Sequence, residues 1–92
     1  MQRESRRVYY SGRVQGVGFR FTSQHLARGF DVAGFVRNLP DGRVELVAEG
    51  DPAEIDGFLE AVQDTMGPYI RDVSIEKSPP AASPFMGFTV SY

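Results

Sequence analysis

The stretch Ser11-Gly-Arg-Val-Gln-Gly-Val-Gly-Phe-Arg20 separates two different hydrophobic rhythms. Upstream, Arg6 to Gly12 alternates, with Val8, Tyr10 and Gly12 on one side and Arg7, Tyr9 and Ser11 on the other. That period predicts a strand with one buried face. Downstream, Arg20 to Gly29 reads as a helix, with Phe19, Thr22 and Leu26 sharing a face, Ala27 beside it and Gly29 as its stop. The loop between them holds Gly12, Gly16 and Gly18. Glycines let successive backbone N–H groups turn inward into a concave nest that favours an anion. An adjoining helix N-terminus adds free N–H groups and a positive dipole end. Arg20 adds a planar, permanently charged fork suited to phosphate oxygens. The stretch therefore fits a phosphate cradle with its own cation. The same spacing also serves an ordinary strand-to-helix turn, and glycines alone do not separate the two.

Beyond the loop the pattern continues with Val32 to Asn38 as a second strand. Leu39-Pro-Asp-Gly42 supplies turn chemistry: Pro40 presets φ, Asp41 bonds backbone locally and Gly42 accepts positive φ. Arg43 to Glu49 returns as a third strand, with Val44, Leu46 and Ala48 inward and Glu45, Val47 and Glu49 on the solvent side, the two glutamates reading as edge charges. A second helix starts at Asp51 as N-cap, with Pro52 at its first position and Glu54 placed to close a capping box. Ile55, Phe58, Leu59, Val62 and Met66 make one apolar stripe, which Gly57 weakens and Gly67-Pro68 ends. Arg71 to Lys77 is a fourth strand with Val73 and Ile75 inward. Ser78 to Pro84 is a proline-bearing surface connection, and Gly87 to Tyr92 a last strand. The order is βαββαβ plus a C-terminal edge strand. One-sided helices then lie together on one face of a mostly antiparallel sheet, which predicts an α+β, ferredoxin-like sandwich.

The chain has 92 residues and no cysteine. One domain over 1–92 is expected, with 1–5 frayed. The lack of thiols removes cysteine catalysis and cysteine metal sites and speaks against a disulfide-stapled secreted scaffold. With no long apolar run and no signal-peptide pattern, no membrane partner is expected and the location expected is cytoplasmic. The formal charge of -2 hides an asymmetry: residues 1–40 carry seven arginines against two acids, residues 41–92 three basic residues against ten acids. The glycine loop sits in the positive half, as an anion site requires, although solvated arginines such as Arg28 and those at the N-terminus account for the same excess. Net acidity and the lack of a basic-aromatic strand motif argue against nucleic acid.

Two stretches together carry a family resemblance. Gly12-Arg-Val-Gln-Gly-Val-Gly-Phe-Arg20 resembles the first signature of the acylphosphatases; Gly34-Phe-Val-Arg-Asn38 with Gly42, Val44 and Gly50 at the following intervals resembles their second. The resemblance spans the chain. It implies a metal-independent and cofactor-free hydrolase of acid anhydrides, which cleaves the carboxyl-phosphate bond of small acyl phosphates to a carboxylate and inorganic phosphate. It implies catalytic roles for Arg20, as substrate-binding arginine, and Asn38, as the residue that positions water. It also implies that the phosphate is bound, mainly by backbone, along Gln15, Gly16, Val17, Gly18, Phe19 and Arg20. Inorganic phosphate or sulfate fits the same loop, and a monomer is expected. Asp31 stands where the family often has glycine, a mild departure if the position is left-handed. Without the resemblance, Asn38 reads as a turn residue, Arg13 and Arg37 as exposed strand charges, and His25 as a partly exposed helix residue. The alternative function is a non-catalytic phosphate-binding or regulatory module on the same fold.

Overall fold

The computed structural model describes residues 3–81 and 84–92. Its elements run β1 (Glu4–Gly12), α1 (Phe19–Ala27), β2 (Val32–Asn38), β3 (Val44–Gly50), α2 (Pro52–Met66), a 3-10 turn (Gly67–Tyr69), β4 (Ile70–Ser78) and β5 (Phe88–Val90). The five strands form one sheet in the order β4-β1-β3-β2-β5. Every neighbouring pair is antiparallel except β2 and β5. With both helices packed on one face, this is the ferredoxin-like α+β arrangement that the element order predicts.

Register explains the core. Val8 and Val36 both lie opposite Leu46, and Tyr10 and Asn38 both lie opposite Val44. Those positions share the helix side of the sheet, where Val8, Tyr10, Val36, Val44, Leu46 and Ala48 meet Phe19, Ile55, Phe58 and Val62. Gly34 belongs to the same layer; a Cβ there would stand 1.8 Å from the Val47 carbonyl oxygen, so only glycine lets β2 approach β3 so closely. Gly57 has a packing reason as well. The Phe30 ring lies against it, where a Cβ would come within 2.7 Å of that ring.

Several sequence expectations change for identifiable reasons. β1 begins at Glu4, not Arg6, because Glu4 and Ser5 pair with Gly50 and Glu49; Met1 and Gln2 of the expected frayed segment lie outside the described residues. Arg6, one of the arginines read as solvated, is buried on the helix side between Glu4 and Asp56 of α2. α1 starts at Phe19 and ends at Ala27; Phe19 and Ala27 are buried and Leu26 packs half-buried against the core, as read, but the third buried position is Ser23, not Thr22. Asp51 caps α2 through the Ala53 N–H, but Glu54 makes no capping box; it accepts instead from the Asp31 N–H and ties the start of β2 to α2. Asp31 is not left-handed, since no residue other than glycine among those described has positive φ. Val73 and Ile75 face the helix side yet stay exposed, because β4 is an edge strand beyond the reach of the helices. Charges at Arg71, Asp72, Glu76 and Lys77 flank them, a common guard against edge-to-edge pairing. β5 is only Phe88–Val90, shorter than expected.

The largest correction concerns Glu45 and Glu49. They are not edge charges, because β3 is the central strand and is buried along its whole length. Glu45 takes hydrogen bonds of 2.5 Å from Arg7 on β1 and from Arg37 on β2. Glu49 accepts from the Ala81 N–H, and Phe85 stacks edge-on against Phe35 at 5.7 Å. The connection from β4 to β5 thus crosses the sheet face opposite the helices; Ala82 and Ser83 of that predicted connection lie outside the described residues.

Burial pushes the Glu45 carboxyl up, but hydrogen bonds from Arg37 and Arg7 outweigh it and hold the pKa below the ordinary glutamate value. A group with a lowered folded pKa stabilises the fold above its unfolded pKa of about 4.3 and loses that contribution as pH falls through the folded value. Urea midpoints measured from pH 6 downward should therefore fall less steeply below about pH 4.3 for Glu45→Gln than for the unmodified chain. Parallel pH profiles would show that Glu45 has no such linkage.

Candidate active site

The loop leaves β1 at a register shift between Ser11 and Gly12, and the Arg13 N–H bonds the Tyr69 carbonyl at 2.9 Å. Val14 then turns inward and is fully buried. Gly16 and Gly18 take φ of 78° and 80°, the left-handed region that other residues enter at a cost. A Cβ at either would meet nothing within 4 Å, so the space above the loop is open. Phe19 returns to the core, its ring 4.9 Å from that of Tyr10. The loop is therefore pinned at both ends by buried side chains and left clear in the middle.

α1 begins on this loop with Gly18 as its N-cap. No side chain caps it and no acid sits in its first turn. Among the described residues, the N–H groups of Gly16 to Phe19 have no backbone or side-chain acceptor. A helix start with unused donors and no local negative charge attracts an anion. Arg20, in the first turn, is half-buried, with its guanidinium 4.9 Å from the centre of the Tyr92 ring. That stacking restrains a side chain which would otherwise sample many rotamers.

Asn38 reaches the same place from a different strand. β1 and β2 are both antiparallel to β3, so they run parallel to each other and finish at one end of the sheet. Asn38 is the last residue of β2, on the helix side, facing Val44. A pocket of about 120 Å³ is lined by Val14, Gly16, Gly18, Phe19, Arg20, Phe21 and Asn38. The predicted arginine, asparagine and glycine loop thus share one cavity. Of the other residues flagged in the sequence, His25 is exposed on α1, and Asp41 bonds the Arg43 N–H and guanidinium within its turn. Arg37 holds Glu45, and Arg13 lies past the end of β1 instead of in a strand.

Gln15 does something the sequence did not reveal. Its Nε2 donates to the Leu39 carbonyl at 2.8 Å and to the Arg43 carbonyl at 2.9 Å. Those residues close the β2–β3 turn, where the Leu39 N–H also bonds the Arg43 carbonyl. One carboxamide thus fastens the loop to the hairpin immediately after Asn38. Single-sequence spacing gives no sign of it, because the partners are backbone atoms more than twenty residues away. Gln15→Leu keeps the bulk and removes both donors. It should cost about 1 kcal/mol in chemical denaturation, the usual net worth of a half-buried hydrogen bond, since the Arg43 carbonyl keeps its bond from the Leu39 N–H. It should also speed amide hydrogen exchange across 39–43; unchanged exchange would mean that the hairpin holds itself.

Comparison with known proteins identifies the family. The family model described as Acylphosphatase matches residues 6–90. An acylphosphatase of Archaeoglobus fulgidus is 45% identical over 74 residues, covering 77% of this chain and 81% of that protein. One of Rubrobacter xylanophilus is 44% identical over 87 residues, covering 91% and 76%. The crystal structure of acylphosphatase from Bacillus subtilis superposes with a TM-score of 0.85 at 35% identity, covering 97% of this chain and 99% of that one. With the matched region running from the first strand to the last, the chain belongs to the acylphosphatase family.

Proposed function

We propose that this chain hydrolyses acyl phosphates, with the loop from Gln15 to Arg20 holding the phosphoryl group and Asn38 holding the attacking water. The observation that carries the reading is that Gly16, Gly18, Arg20 and Asn38 line one pocket. Loop N–H groups and the Arg20 guanidinium offer donors on several sides of a tetrahedral dianion. The carboxamide of Asn38 can accept a proton from water while donating elsewhere.

The chemistry suits so small a set of groups. The leaving group is a carboxylate, whose conjugate acid has a pKa of about 4, so it departs without needing a proton. Phosphoryl transfer passes through a loose transition state with charge on the equatorial oxygens, and positioning plus electrostatics carry most of the catalysis. Donors already fixed toward those oxygens need no reorganisation at the moment of reaction. No general base is required in the scheme.

Loss of benzoyl phosphate ultraviolet absorbance gives a direct assay. Arg20→Ala should lower kcat/KM by about a hundredfold to a thousandfold, the scale of losing a preorganised donor to a developing oxyanion. It should also weaken competitive inhibition by inorganic phosphate. Asn38→Ala should lower kcat with little change in KM, because the water it holds matters in the transition state and not in substrate binding. A tenfold rise in KM at normal kcat for Asn38→Ala would refute that role. Tight phosphate binding without turnover by the unmodified chain would point to a binding module instead.

A further inference from the structure

Phe21 follows Arg20 in the first turn of α1 and forms part of the same pocket wall, yet it is 62% exposed. The other apolar residues of this helix, Phe19, Leu26 and Ala27, are buried or half-buried. A large ring left in water at the mouth of an anion cradle contributes little to the fold. The open space above Gly16 and Gly18 adjoins it. A phosphoryl group gripped by the loop and Arg20 keeps one oxygen, the bridge to the acyl carbon, directed away from those donors. The organic part of the substrate therefore leaves the cradle by its mouth, where Phe21 stands.

We infer that Phe21 is a specificity-determining residue whose exposed ring forms an apolar subsite for the organic part of the acyl phosphate, favouring aromatic or bulky apolar acyl groups over acetyl. This rests on the acyl phosphate reading given above. The ring touches a part of the substrate that changes little on the way to the transition state. It acts as uniform binding and is read in KM more than in kcat. Rings contribute by removing apolar surface from water and by offset or edge-to-face packing.

The test is steady-state kinetics of the full chain, Phe21→Ala and Phe21→Leu on benzoyl phosphate and acetyl phosphate, with thermal melting to check folding. For Phe21→Ala the preference for benzoyl over acetyl phosphate in kcat/KM should fall about fivefold, the scale expected when part of one ring no longer shields the acyl group from water. Most of the change should lie in KM for benzoyl phosphate, and Phe21→Leu should restore part of it. An unaltered substrate ratio in an active, folded variant, or an equal loss on both substrates, overturns the inference and leaves the hydrolase reading standing. An unmodified chain inert toward both substrates overturns the hydrolase reading and this inference with it.

Discussion

One side-chain amide joins the two halves of the pocket. Gln15 spans from the glycine loop to the carbonyls of Leu39 and Arg43, and so couples the segment that begins α1 to the turn that ends β2. Without that tie the loop and the hairpin would be joined only through the sheet and the core that carry them both. The tie is possible only because β3 lies between β1 and β2 and runs opposite to both. That arrangement brings Gly12 and Asn38 to one end of the sheet, though the chain travels through a whole helix between them. The pocket is thus a consequence of topology first and of side chains second.

The two sheet faces divide the work. On the helix side, apolar residues from β1, β2 and β3 close against α1 and α2 and hold Phe19 and Val14, the anchors of the loop. On the other side the sheet carries charge. Glu45 lies between Arg7 and Arg37, and Glu49 receives the connection that returns to β5. A carboxylate inside a central strand is costly unless fully paired, and two guanidinium groups supply that pairing here. The same arginines belong to the basic half of the sequence, so part of its positive charge serves structure and not anion capture. Arg20 stacks on Tyr92 and makes no ion pair among the described residues, which leaves its charge available to the pocket.

Much of this was legible in the sequence. Alternation gave the strands, the Asp51-Pro52 start and apolar stripe gave α2, and the paired signatures pointed to the loop, Arg20 and Asn38. The misreadings share a cause. Glu45 and Glu49 look like solvent-side charges because an alternating pattern shows which face a residue takes but not what covers that face. Val73 and Ile75 fail the other way: they sit on the correct face, but strand order decides whether a helix reaches them. Glu54 fits a local capping box until a more distant N–H, that of Asp31, competes for its carboxylate. Strand order and long-range backbone partners are tertiary facts, which spacing along one chain does not encode.

The ladder pattern also bears on how the chain reaches this state. Only β2 and β3 are joined by a tight turn; β1 waits for β3 and then for β4, and β2 waits for β5 from the end of the chain. Most pairings therefore close long loops before they gain anything in return, and such topologies cross their folding barrier slowly compared with helical bundles. The pocket needs β1, β2 and β3 in register at once, so it depends on one of those long-range pairings, that of β1 with β3, as well as on the local hairpin.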